Sequence, residues 1–121
     1  MLQPRTDFGN GGESFEILDS SMTRVLVVRG ENDTVVGMLT LVLFKIPTGV
    51  RALIEDVVVD ESVRGRGAGE ALTRAAIRIA RENGARTVEL TSRPERKAAN
   101  SMYRKLGFER RDTNVFRIDV G

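Results

Sequence analysis

The 121 residues amount to one domain's worth of chain, long enough to bury a core. At 40% apolar and 30% charged they exclude a disordered tail. Cysteine and histidine are both absent. Disulfides, thiolate zinc sites and thiol nucleophiles are therefore excluded, and carboxylates, Tyr, Lys and water are left for acid–base chemistry.

In chain order, residues 1–14 are polar and glycine-rich (Gly9, Gly11, Gly12) and read as a flexible lead-in, with one domain over 15–121. Ser14 to Ser21 is ambiguous, with room for one short helix. Arg24 to Arg29 reads as a strand closed by a turn at Gly30 to Asp33. Val35 to Lys45 is a longer strand, apolar on both faces and hence central in a sheet. Pro47-Thr48-Gly49 makes a turn into a third strand, Ala52 to Asp60, expected to run antiparallel to the second.

From Ala68 the apolar period changes to near 3.6. Ala68, Leu72, Ala75, Ala76 and Ile79 share one helical face, and Gly84 is placed to end that helix. Thr87 to Thr91 reads as a strand. Ser92-Arg93-Pro94-Glu95 has the pattern of a capping box with Pro in the first turn, opening a helix to about Leu106. Ala98, Ala99, Met102, Tyr103 and Leu106 are spaced for burial on it, and Gly107 terminates it. One or two last strands follow, clearest at Val115 to Val120. The predicted fold class is α/β, a mixed and mostly antiparallel central sheet flanked by helices.

Charge is unevenly spread over this frame, although the net value is only +2. Four basic and six acidic residues precede position 51; fifteen and eleven follow. Arg93, Arg96, Lys97, Arg104, Lys105, Arg110 and Arg111 crowd one stretch against Glu95 and Glu109. Such a field suits an anionic ligand such as a phosphorylated cofactor, although a solvated arginine-rich face is the simpler account. The first seven residues lack the apolar core of a signal peptide, and the longest apolar run, Val35 to Phe44, is about half a membrane span. The sequence reads as cytoplasmic, with neither membrane nor nucleic acid as a partner.

Between the third strand and the first helix lies Val63-Arg64-Gly65-Arg66-Gly67-Ala68-Gly69-Glu70. Glycines there let a backbone approach a ligand, and a helix start aims unpaired N–H groups outward, which suits a diphosphate. A P-loop is excluded because no Gly-Lys-Ser/Thr follows. A dinucleotide fingerprint fits poorly: the spacing is Gly-x-Gly-x-Gly, and the preceding strand belongs to a meander. A glycine-rich connection that binds nothing is the bland alternative.

The whole chain sharpens this. Arg64-Gly65-Arg66-Gly67-Ala68-Gly69 resembles the Arg/Gln-x-x-Gly-x-Gly/Ala signature of the GNAT superfamily of acyl-CoA-dependent N-acetyltransferases. Ala98 to Phe108 is similar to that family's "A…Y-x-K-x-G-F" segment. Ile54-Glu55-Asp56 is similar to the corresponding strand of glucosamine 6-phosphate N-acetyltransferases, without fixing a substrate. The resemblance runs from about Arg24 to Val120.

The resemblance implies that acetyl-CoA is the co-substrate, with no metal. It implies a strand at Val57, Val58 and Val59 that parts from its neighbour, so that backbone groups of Val57 and Val59 pair with pantetheine amides and one N–H polarises the thioester carbonyl. It implies amides of Arg64, Gly65, Arg66, Gly67, Ala68, Gly69 and Glu70 around the diphosphate, and Asn100 as a pantetheine or ribose contact. Tyr103, the only tyrosine, would be the general acid to the departing thiolate as well as a core aromatic.

Glu55 and Asp56 stand out on physical grounds alone, because two carboxylates interrupt an apolar strand. In regular alternation they face opposite sides, and Glu55 shares a face with Val57 and Val59. One can be salt-bridged to an arginine; the other is the candidate base, with Glu55 slightly preferred.

Family members usually carry a strand and one or two helices ahead of the strand at Arg24 to Arg29, and these help wall the acceptor site. Only 23 residues precede it here. A minimal form, a missing start, or a homodimer whose partner completes the site would each account for this. The leading expectation is acetyl transfer to the primary amine of a small molecule or peptide. The alternative is a non-catalytic acyl-CoA-binding or regulatory module with an incomplete acceptor site.

Overall fold

A computed structural model describes residues 22–121 and the backbone of residues 6–7 and 14–19. Most of the expected lead-in therefore lies outside the described residues. The chain forms two compact units, Met1–Thr91 and Ser92–Gly121.

The first unit is a six-stranded sheet in sequential order: β1 (Thr6–Asp7), β2 (Ser14–Asp19), β3 (Thr23–Arg29), β4 (Val35–Ile46), β5 (Gly49–Val59) and β6 (Ala85–Glu89). The pairs from β1 to β5 are antiparallel; β6 joins β5 in parallel. A parallel neighbour needs a crossover, supplied by helix α1 (Ala68–Glu82). Where a short helix had room, Ser14–Asp19 is strand, registered along its length with β3. Its Ser-Phe-Glu-Ile alternation has the period of a strand, and pairing with a neighbouring strand outweighs weak local preference.

The core lies between the sheet and α1. Leu26, Val28, Leu39, Leu41 and Ile54 come from the strands; Ala68, Leu72, Ala75, Ala76 and Ile79, the predicted face, come from the helix. Gly37, opposite Val59, lets Leu72 of α1 approach: a Cβ there would lie 3.5 Å from Leu72 Cδ1. Inside α1, the buried Thr73 hydroxyl donates to the Gly69 carbonyl at 2.7 Å, which satisfies it locally. Asn83 closes the helix by donating its side-chain amide to the Ile79 carbonyl at 2.8 Å, and Gly84 follows in a left-handed conformation.

The second unit contains α2 (Lys97–Lys105). The expected capping box does not form. Pro94 and Glu95 lie in a turn, the helix begins at Lys97, and its first-turn flank is Arg96 with no side-chain cap. The turn is closed instead by backbone donation from Arg96 to Arg93 and from Lys97 to Glu95, and Asn100 Nδ2 donates to the Arg93 carbonyl at 3.0 Å. Asn100 thus ties the turn by donating to a carbonyl, while the acceptor role expected of Ser92 toward the helix's first N–H groups is taken by no side chain. The last predicted strand is also absent: residues 108–121 adopt neither helix nor strand, and 109–121 are exposed. A strand pattern needs a paired edge to become a strand, and none is given to Val115 to Val120 here. Among the described residues no helix is long and apolar enough to cross a membrane.

Candidate active site

Two local departures from regular structure build the site in the first unit. The first is in β5. Thr40 registers with Glu55 and Met38 with Val58, so Asp56 and Val57 together oppose the single residue Leu39. This is a β-bulge, and Asp56 takes φ of 52° to make it. An aspartate accepts a left-handed backbone more readily than most residues, yet such conformations cost free energy and recur at functional sites.

The bulge also changes which side chains share a face. Met38 and Thr40 are two apart on β4 and face one way, so their partners Val58 and Glu55 face that way together. Val59, opposite Gly37, belongs with Leu39, Leu41 and Ile54 on the face that packs against α1. Glu55 therefore shares its face with Val58, and not with Val57 and Val59 as strict alternation predicts. Without the extra residue Asp56 would follow Ile54 into the core; with it both carboxylates stand exposed. Among the described residues neither is salt-bridged to an arginine.

The second departure is the parting of strands. β5 and β6 pair from Val50 opposite Ala85, through a register shift before Arg51 opposite Thr87, to Leu53 opposite Glu89, and the pairing stops there. From Ile54 to Val59 the edge of β5 that faced β6 has no strand beside it among the described residues. Its N–H and C=O groups on that side are open to an extended ligand, as β-augmentation requires.

The turn after β5 completes the arrangement. Asp60 accepts the Ser62 N–H at 2.9 Å and so caps the short 3-10 turn Glu61–Val63. The backbone and side-chain hydrogen bonds from Ser62 hold the Asp60 carboxyl below its ordinary range; desolvation opposes this, and the positive charge of Arg64 adds a smaller lowering effect. Val63 is buried and anchors the turn. Gly65 and Gly67 then take φ of 81° and 84°, and a Cβ at either would meet nothing within 4 Å. Glycine is needed there for its backbone, and the space around it is free for a ligand.

Gly67 is the N-cap of α1 and offers no side chain to its first turn, where Ala71 is the first residue to donate back, to the Gly67 carbonyl. The N–H groups of Ala68, Gly69 and Glu70 thus point out unpaired, at the positive end of the helix. The Arg64 and Arg66 amides are already spent on Glu61 and Val63 carbonyls, so these two residues would enter an anion site by their side chains. Arg64 lies 3.7 Å from Glu61 and Glu70 is held by Arg74 at 3.1 Å, both on the surface.

The remaining predicted residues belong to the second unit. Tyr103 is buried on α2, and its ring meets Phe108 edge-on at 5.7 Å and 69°. Burial pushes its hydroxyl above the ordinary tyrosine range, and the positive charge of Arg96 opposes this more weakly. Asn100 uses one side-chain N–H on the Arg93 carbonyl, leaving its second N–H and its carbonyl oxygen for a ligand. Ser92 Oγ is buried with no hydrogen-bond partner.

Residues 4–108 match the model of the acetyltransferase (GNAT) family. The chain belongs to that family. An uncharacterized N-acetyltransferase of Methanocaldococcus jannaschii is 44% identical over 61 residues, which are 50% of this chain and 27% of the relative. A probable glucosamine 6-phosphate N-acetyltransferase of Oryza sativa subsp. japonica is 46% identical over 55 residues, 46% of this chain and 31% of the relative. The matched stretch thus spans under a third of either curated relative. The crystal structure of a Trypanosoma brucei acetyltransferase superposes with a TM-score of 0.72 at 32% identity, covering 83% of this chain and 70% of that one.

Proposed function

We propose that this GNAT-family chain transfers an acetyl group from acetyl-CoA to a primary amine, by direct attack within a ternary complex. One observation carries the reading: the edge of β5 that loses its partner after Leu53 leads into the uncapped start of α1, with two left-handed glycines between. An edge that can pair with amides, followed by a cluster of free N–H groups, suits a ligand with a pantetheine arm and a diphosphate.

Acetyl-CoA brings an activated thioester. Val57, Val58 and Val59 offer the strand edge, one N–H of which would polarise the thioester carbonyl. Gly65, Gly67, Ala68, Gly69 and Glu70 offer amides to the diphosphate, with Arg64 and Arg66 adding positive charge. Asn100 is assigned to the pantetheine or ribose. Glu55, or Asp56 beside it, takes the proton from the ammonium group, so that the free amine forms the new C–N bond as the C–S bond breaks. Tyr103 gives a proton to the leaving sulfur, and the second N–H proton, shed by the nitrogen as the amide forms, restores the phenol. A phenol held above its usual pKa stays protonated at neutral pH, which is the state a general acid needs.

Thiol release from acetyl-CoA across a panel of amines tests this. Turnover with at least one amine is expected; tight acetyl-CoA binding with no thiol release on any amine would favour the non-catalytic module. Glu55→Gln should lower turnover and shift its pH profile with acetyl-CoA binding kept. An unchanged profile removes Glu55 from the base role.

A further inference from the structure

We propose that the end of the first unit farthest from the glycine turn holds the phosphodiester backbone of a nucleic acid, by charge and without reading its sequence. Lys45, Arg51, Arg81 and Arg86 stand there exposed, with Arg24 half-buried beside them. No charge run announces these cations, because they lie far apart in the sequence and only the fold gathers them. The sequence alone argues against a nucleic-acid partner for that reason.

The β4–β5 hairpin sets Lys45 opposite Val50 and Phe44 opposite Arg51, and β6 sets Thr87 opposite Arg51. Neighbouring strands lie about 4.7–4.9 Å apart, so Lys45, Arg51 and Arg86 start from three adjacent strands at nearly one level. Arg86 is fixed across the hairpin turn. Its Nη1 donates to the Thr48 carbonyl at 3.3 Å, and its Cδ lies 3.0 Å from where a Cβ on Gly49 would stand. Helix α1 ends at the same place, with Arg81 in its last turn. Arg24 reaches that end from β3, where its Nη2 donates to Asn83 Oδ1 at 3.3 Å.

The charge there is uncompensated. Three other arginines of this unit meet acids: Arg64 pairs with Glu61, Arg74 with Glu70 and Arg78 with Glu82. Lys45, Arg51, Arg81 and Arg86 have no acidic partner among the described residues, and the nearby Glu82 is taken by Arg78. Cations gathered without acids repel one another, and a polyanion that neutralises them releases its own condensed counterions. Three of the four are arginines, whose planar forks hold phosphate oxygens in pairs. The four also stand on more than one face: Lys45 shares the face of Leu41 and Leu43, whereas Arg51, opposite Phe44, lies on the other. A curved or flexible backbone can follow charges around such an end, but a flat bilayer meets one side of it.

Helix α1 has 15 residues, so its length of about 22 Å separates this end from the glycine turn. The surface therefore requires neither cofactor nor acetyl transfer, and it stands or falls separately from the enzymatic reading.

Anisotropy of a labelled duplex of about 20 base pairs, DNA in one arm and RNA in the other, tests this with the full chain. Binding in either arm is expected, and the stronger arm names the nucleic acid. Its log affinity should fall with log salt at a slope of roughly −3 to −4, as for about four neutralised phosphates. Saturating CoA should leave it unchanged. Lys45→Ala, Arg51→Ala and Arg81→Ala together, all at exposed positions, should weaken binding roughly tenfold or more and flatten the slope by about three. Circular dichroism and CoA affinity of that variant should match the native chain. Absent binding at low salt, displacement by CoA, or a slope that ignores the triple variant would each overturn the proposal. So would equal binding of polyglutamate or of phosphatidylserine vesicles. Should the triple variant fail to fold, Arg51→Ala and Arg81→Ala made singly decide, each expected to flatten the slope by about one.

Discussion

Leu53 and Glu89 form the last registered pair between β5 and β6, and past them β5 continues for six residues without that neighbour. The same strand thus closes the sheet with its first half and leaves an edge open with its second. The bulge at Asp56 falls within that second half and turns the Asp56 side chain out of the core, beside Glu55, which already faces outward.

Asp56 should be sensitive to the shape of its substitute more than to its charge. Asp56→Val puts a β-branched residue at φ of 52° and should cost roughly 1–3 kcal/mol in denaturant melts. Asp56→Gly should fold as stably as the native chain or slightly better. Equal loss for both variants would mean that the carboxylate, not the backbone, sets stability there.

Gly67→Val tests the turn in the same currency with a second readout. A left-handed φ of 84° should cost about 1–2 kcal/mol of stability. The added side chain would also intrude on the space before α1, so CoA affinity measured by calorimetry should fall by roughly tenfold, a change of about 1.4 kcal/mol. Unchanged affinity in a folded variant would move the diphosphate site elsewhere.

Tyr103 can be titrated without interference, because the chain has one tyrosine and no tryptophan. Phenolate absorbance should rise with a midpoint above the ordinary value of 10.0, since burial favours the neutral ring. The sign for stability follows: the contribution of this group is complete below the unfolded value and is lost as pH rises through the higher folded one. Tyr103→Phe should remove that alkaline loss and lower kcat while leaving acetyl-CoA affinity unchanged.

Asp60 acts at the opposite end of the pH scale. Its carboxyl lies below 3.8 in the folded chain, so its contribution is present above that value and is lost as pH falls through the folded one. Thermal melts of Asp60→Asn should therefore differ from the native chain at pH 7 and converge with it in acid, once the native carboxyl is protonated. A difference that persists in acid would assign the effect to packing.

Much of this was legible in the residues, and the exceptions have physical causes. The buried face of α1 follows from period alone, and the glycine turn from composition. The bulge was not legible, because Glu55-Asp56 in a strand reads as simple alternation and nothing local announces a positive φ. The loss of the Ser92 cap was not legible, because Ser92-Arg93-Pro94-Glu95 fits the capping pattern and nothing local announces that the helix begins only at Lys97. Asp60-x-Ser62 carried a usable signal: an aspartate two residues before a backbone donor is a turn motif in its own right. Val115 to Val120 has the pattern of a strand but forms none, since a strand also needs an edge to join.

The single parallel pairing in the sheet also bears on how the molecule assembles. β2 to β5 meet neighbours that are adjacent in sequence, whereas β6 reaches β5 only after α1 has crossed the sheet. Contacts between distant residues form late and open early, so the cleft mouth should be the least protected part of the sheet in hydrogen exchange. A ligand that bridges the mouth would then slow exchange in β6 well beyond the residues it touches. Occupancy could be read as the rigidity of a strand.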